Sequence, residues 1–147
     1  MQFVAKNFDE LTTAELYEIL RSRCEVFLLE QHIVCQDMDG IDYKSRHYFF
    51  WENGRVVACL RAYFTDEENR TVKIGRVLTI RHGCGAGREL VSLAFDDIRM
   101  TMGGRKITVS AQKQAVGFYE KMGFKPTSGE FLEEGVVHVD MALELNE

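Results

Sequence analysis

Three glycines at alternate positions, Gly83, Gly85 and Gly87, stand in the stretch RHGCGAGREL just ahead of an apolar-periodic run. Glycine loses more backbone entropy on folding than any other residue, so such a run has a structural or a chemical reason. The first main-chain N–H groups of a helix lack intrahelical partners, and with the macrodipole they form a site suited to phosphate. Glycines let an anion approach that main chain with no Cβ in the way, and Arg88 adds a cation. A tight strand-to-helix turn without ligand has the same spacing, so the glycines alone leave both readings open. Two nucleotide motifs are excluded: no Lys-Ser or Lys-Thr pair follows as in a Walker loop, and the dinucleotide fingerprint places its third glycine one residue later.

The other reactive side chains are sparser. Tyr119 sits beside Phe118 in SAQKQAVGFYEKMGF, where an aromatic on a short amphipathic helix is ordinarily core. His138 falls on the polar side of VVHVDMALEL and its imidazole is a candidate base, with Glu133 and Glu30 as rivals. Cys24, Cys35, Cys59 and Cys84 are scattered without a C-x-x-C pair, as free thiols of a reducing compartment would be. His32, His47, His82 and His138 show no metal-ligand spacing, so no metal is expected.

The elements that must position these groups can be read from periodicity. Thr12 to Glu15 (TTAE) form a capping box, and Leu16, Ile19, Leu20, Cys24 and Phe27 follow at helical spacing, predicting a helix from about residue 13 into the high twenties. HYFFW and VVACLRAYF flank ENGR, where Asn53-Gly54 suits a two-residue hairpin turn, and VKIGRVLTI follows a second turn, giving three antiparallel strands. Leu90, Val91, Ala94, Phe95, Ile98 and Met102 mark a helix that Gly103-Gly104 ends; KITVSA is a short strand. A short helix closed by Gly123 precedes Pro126. In the final strand Val137, Val139, Met141, Leu143 and Leu145 alternate with His138, Asp140 and Glu144. The order helix, three strands, helix, strand, helix, strand or strands predicts a single α/β (α+β) domain over residues 1–147, a mixed, mostly antiparallel sheet flanked by helices.

Composition excludes several classes. At 147 residues, with 46% apolar and 28% charged residues, the chain reads as one ordinary globular domain. A formal charge of −5 without a basic block argues against nucleic acid or an anionic membrane as partner. MQFVAKNFDEL lacks the apolar core of a signal peptide, and no apolar stretch is long enough to span a bilayer, so a cytoplasmic protein is expected.

Two motifs together resemble the GNAT superfamily of acyl-CoA-dependent N-acetyltransferases. Ala115, Phe118, Tyr119, Lys121, Gly123 and Phe124 match its A-x-x-F-Y-x-K-x-G-F element, and Gly83, Gly85, Gly87 and Leu90 match its pyrophosphate loop. His82 stands where that loop is usually headed by Gln or Arg. More narrowly the chain is similar to the ElaA-type branch: LYEILRSRCEVFLLEQ through Leu16, Leu20, Arg21 or Arg23, Val26, Phe27, Glu30 and Gln31; DMDGID through Asp39, Gly40 and Asp42; and FLEEGVVHVDM through Phe131, Glu133, Gly135, His138 and Met141.

The resemblance implies a reaction and its residues. An amine attacks the thioester of acetyl-CoA, and an alkyl ammonium must first lose a proton, at a cost of roughly 4–5 kcal/mol at neutral pH. It assigns protonation of the departing thiolate to Tyr119, and it leaves the base among His138, Glu133 and Glu30. A main-chain N–H of the strand ending in RVLTI is the expected oxyanion donor. Contacts to the cofactor are implied for Val77, Leu78, Thr79, Gly83, Cys84, Gly85, Ala86, Gly87, Arg88, Gln112 and Phe118, and Arg23, Glu30 and Gln31 are expected to shape the acceptor pocket or to satisfy one another beside the first helix. The expected partners are acetyl-CoA and an amine of a small molecule or peptide, with a homodimer left open; the competing reading is a non-catalytic domain of the same fold that binds CoA or a protein.

Overall fold

The fold is that of a computed structural model and is described for residues 1–145. Thr12 caps the first helix as the sequence predicts: its Oγ1 accepts from Glu15 N (3.1 Å) while its own N–H donates to the Glu15 carboxylate (2.8 Å). The helix α1 (Thr13–Arg23) then continues without a break as π-helical turns over Cys24–Glu30. Asn53 and Gly54 take the positive φ values of a tight hairpin turn, 52° and 74°, between β2 (Arg46–Glu52) and β3 (Arg55–Asp66). There follow β4 (Thr71–Thr79), α2 (Ala86–Asp97, with a π-helical extension to Met102), β5 (Lys106–Gln112), α3 (Val116–Lys121), β6 (Lys125–Glu133) and β7 (Val136–Glu144).

One element escapes the sequence reading. Gln2–Asn7 form β1, an edge strand pairing antiparallel with β2. Its side chains serve both sides of the sheet, Phe3 and Ala5 one core and Val4 the other, so QFVAKN shows no apolar–polar alternation to betray it. β6, on the opposite edge, is mostly exposed and carries Pro126, which an edge strand tolerates.

The sheet has seven strands in the order β1-β2-β3-β4-β5-β7-β6, and every pairing is antiparallel except β4 with β5. Period-two alternation splits its side chains between two cores. Tyr48, Phe50, Leu60, Ile74 and Ile107 meet Leu90, Val91, Ala94 and Ile98 of α2 on one face. Phe49, Val56, Cys59 and Leu78 meet Ile19 and Val26 on the face that α1 covers. Beyond α1 that second face carries the polar residues Arg61, Lys73, Ser110, His138 and Asp140 instead.

Charged residues there are ordered by one closed ring. Arg23 reaches Asp37 (2.9 Å) and Asp42 (2.7 Å); Arg61 reaches Asp42 (3.1 Å) and Asp39 (2.8 Å); Arg76 reaches Asp39 (3.4 Å) and Asp37 (2.9 Å). Six side chains of alternating sign thus tie α1, β3 and β4 to the irregular segment 37–42. The hydrogen bond from Arg61 holds the Asp39 carboxyl well below the usual carboxylate range. For Asp42 burial opposes ionisation, but the Arg23 hydrogen bond and the charges of Arg23 and Arg61 outweigh it and lower its pKa too. His47 Nε2–H donates to the Asp42 carbonyl (3.0 Å), and burial lowers its pKa.

These three shifts share one sign. Each group binds its proton more readily in the unfolded chain, so its contribution to stability is present above the unfolded pKa and lost as pH falls. Unfolding free energy should therefore begin to decline below about pH 6.5 through His47 and fall more steeply below about pH 4 through Asp39 and Asp42. Urea unfolding across this range reports it. His47→Gln should remove the shallow upper part; an unchanged profile in that variant would show that the buried imidazole is not the group responsible.

Candidate active site

The ring stands beside the place where the sheet comes apart. β4 and β5 pair only from Thr71/Lys106 to Ile74/Val109, although β4 runs on to Thr79 and β5 to Gln112. Just past that point Arg76 adopts φ 51° inside β4, and the β3–β4 register shifts opposite it, between Cys59 and Arg61. Such an irregularity bends a strand and re-aims it. Beyond Ile74 the β5-facing main chain of β4 has no strand partner among the described residues, and a cleft of about 570 Å³ opens between the two strands.

Six of the candidate cofactor, acceptor and catalytic residues meet in this cleft: Gln31, Val77, Gln112, Tyr119, Glu133 and His138. Tyr119 comes from α3 and is 4% exposed, its ring packed on Phe118 and Phe124. Burial pushes the phenol's pKa up, so it holds its proton at neutral pH. Its hydroxyl makes no protein hydrogen bond among the described residues. His138 is 8% exposed, although the strand pattern reads it as a polar-face residue. Its Nδ1 lies 2.8 Å from the Val136 carbonyl. A carbonyl only accepts, so Nδ1 carries a proton, and in the neutral ring Nε2 keeps its lone pair. The Glu133 carboxylate lies 3.9 Å from that Nε2.

The glycine loop lies past the end of β4, at the start of α2, and its glycines have separate reasons. Gly83 and Gly85 are left-handed (φ 78° and 79°), which a turn demands with or without a ligand. Gly87 is not; a Cβ there would come 3.1 Å from the Thr79 methyl, so it permits close contact between helix and strand. Among the described residues no side chain caps α2, and its first main-chain bond is donated by Glu89 N–H to Gly85 O, which leaves earlier N–H groups free of helical partners. Arg88 is exposed beside them. That uncapped, glycine-lined helix start fits a pyrophosphate.

Several expectations are corrected by burial. Arg23 is 1% exposed and fully engaged by Asp37 and Asp42, so it braces the cleft wall rather than facing an acceptor. Nor do Arg23, Glu30 and Gln31 satisfy one another. Glu30 pairs with His82 at the head of the glycine loop (2.8 Å), and Gln31 accepts from Gln112 at the end of β5 (3.0 Å). Leu78 and Ala86 are buried in the two cores and offer only main chain. Phe118 is half-buried against Tyr119, and Cys84 is exposed on the loop. Sequence reasoning missed Arg61, Arg76 and Asp37 as parts of the wall; an arginine at an inward position of an apolar strand such as CLRAYF was the available signal.

The sequence model of the acetyltransferase (GNAT) domain family matches residues 15–145. The chain belongs to that family. It is 33% identical over 140 residues to the protein ElaA of Escherichia coli, covering 92% of each chain, and 37% identical to a UPF0039 protein of Schizosaccharomyces pombe, covering 99% of this chain and 98% of that one. The crystal structure of E. coli ElaA superposes with a TM-score of 0.89 at 31% identity, over 97% of this chain and 99% of that one. An acyl-CoA N-acyltransferase from Pseudomonas aeruginosa gives 0.89 at 29% identity with the same coverage.

If conformation is what Gly85 supplies, Gly85→Ala should destabilise the fold by about 1–2 kcal/mol, because nothing would touch the added methyl and the left-handed backbone alone is penalised. Gly85→Asn should cost less, since Asn tolerates that region. Urea unfolding of both variants checks the order; equal stability of all three proteins would remove the conformational explanation.

Proposed function

We propose that the protein transfers an acetyl group from acetyl-CoA to a primary amine of a small molecule or peptide, with His138 as general base and Tyr119 as general acid. The observation that carries this reading is the pairing, in one cleft, of an imidazole with a free Nε2 lone pair and a phenol whose proton is held firmly. Bound acetyl-CoA supplies the thioester carbonyl on which the amine acts. The main-chain N–H groups at the start of α2, with Arg88, hold its pyrophosphate, and the unpaired edge of β4 at Val77 to Thr79 binds the arm that leads to the thioester.

The protein's own residues then handle two protons. His138 Nε2 takes one from the amine as the N–C bond forms. Val136 O, accepting from Nδ1–H, keeps the ring in the tautomer that can do so, and Glu133 at 3.9 Å favours the resulting imidazolium. Tyr119 gives its proton to the sulfur as the C–S bond breaks. The net change is amine plus thioester to amide plus thiol. Low exposure strengthens both roles, because a proton relay in a water-poor cleft is not short-circuited by solvent.

Thiol release from acetyl-CoA with a panel of primary amines tests the reaction. Tyr119→Phe should lower kcat on the order of 10²-fold with little change in the KM for acetyl-CoA, and His138→Gln should lower it at least as much. Wild-type turnover in the phenylalanine variant would return Tyr119 to the core. In thermal melts, acetyl-CoA at a hundred times its Kd should stabilise the fold by about 2.7 kcal/mol, whereas ATP and NAD should not.

A further inference from the structure

A second, smaller cavity of about 210 Å³ adjoins the cleft and shares Lys73, Val109 and Ser110 with it. Its polar lining comes from three neighbouring strands on one face of the sheet: Lys73 of β4 lies opposite Thr108 of β5, and Ser110 of β5 opposite Asp140 of β7. Thr127 of β6 completes it. The two charged groups here are opposite in sign and unspent. Lys73 Nζ has no ion-pair or hydrogen-bond partner among the described residues. Asp140 accepts from Ser110 Oγ on Oδ1 (2.8 Å), while Oδ2 has no protein donor among them. The two are not paired with each other, in contrast to the closed ring of arginines and aspartates nearby.

Resting on the transferase reading, we propose that this cavity holds the α-amino acid head of the acceptor, and that the acceptor is an α-amino acid with a terminal side-chain amine. The carboxylate meets Lys73, with the hydroxyls of Thr108 and Thr127 as further donors, and the α-ammonium meets the free oxygen of Asp140. A cation and an anion too far apart to pair directly are bridged by a ligand that carries both charges. The side chain then runs along β5 from the level of Ser110 to that of Gln112, where His138 is the register partner. Two residues of strand span about 7 Å. An extended chain of four methylenes covers that distance and delivers the distal amine to His138, leaving the α-amine bound and unreactive.

The test uses calorimetry on the CoA-saturated protein with three probes: L-lysine, cadaverine, which lacks the carboxylate, and ε-aminocaproate, which lacks the α-amine. L-Lysine should bind about 10-fold or more tightly than either truncated probe, the worth of one charged hydrogen bond. Lys73→Met should abolish the advantage of L-lysine over cadaverine, and Asp140→Asn its advantage over ε-aminocaproate. Three probes of like affinity, or variants that weaken all three equally, overturn the proposal. Turnover separates the two levels of the argument. Acetylation of cadaverine at least as fast as of L-lysine refutes the amino-acid head while the transferase stands; no acetylation of any amine refutes the transferase, and the binding data still decide what the cavity holds.

Discussion

The closed ring of Arg23, Asp37, Arg76, Asp39, Arg61 and Asp42 is the constraint on which the rest of the cleft depends. Segment 37–42 has almost no regular structure and few apolar side chains, so hydrophobic burial cannot attach it to the sheet. Charge does so instead. Each aspartate answers two arginines and each arginine two aspartates, which leaves the set neutral. A buried ion pair is a weak source of net stability, because desolvation offsets most of the attraction. Its value lies in location: removing one of the buried members Arg23, Asp42 or Arg61 strands a buried charge, at about 3–5 kcal/mol, so alternative placements of the segment are disfavoured, while the more exposed pairs of Arg76 with Asp37 and Asp39 add less.

That placement matters because Arg76 belongs both to the ring and to the parting of the strands. It holds a left-handed conformation that a non-glycine residue avoids, costing of order 1–3 kcal/mol unless its surroundings enforce it. Bonds from its guanidinium to Asp37 and Asp39 are such an enforcement. The bend at Arg76 carries β4 away from β5 at the sheet's only parallel pairing among the described residues. Electrostatics on one side of the strand therefore keep the opening on the other.

Within the opening, the protein separates two titratable groups by environment. Tyr119 lies almost fully buried among aromatic rings, and burial disfavours its phenolate. His138, although also little exposed, has a carbonyl on one ring nitrogen and a carboxylate 3.9 Å from the other. The proposed proton donor and proton acceptor rest on this difference. The links Glu30–His82 and Gln31–Gln112 carry the end of the α1 continuation to both sides of the parting, to the glycine loop and to the tip of β5.

The sequence by itself determined what local physics can settle. The capping box at Thr12, the turn at Asn53-Gly54, the apolar face of α2 and the glycine loop are short-range signals, and each appears in the structure where its residues predict; on the first helix the π-helical turns bury Val26 and leave Cys24 exposed. Family membership was legible too, since Tyr119 and the glycines are carried by contiguous motifs. Only tertiary structure decided which polar residues share a site. β1 stayed hidden because both of its faces are partly buried, which erases alternation. Arg23 read as a pocket residue and proved to be a brace, because its partners lie 14 and 19 positions away. Lys73, Ser110 and Asp140 carry no motif and meet through strand register alone. Pairing across a sheet places residues by long-range contacts, and no local pattern encodes which distant strand will lie alongside.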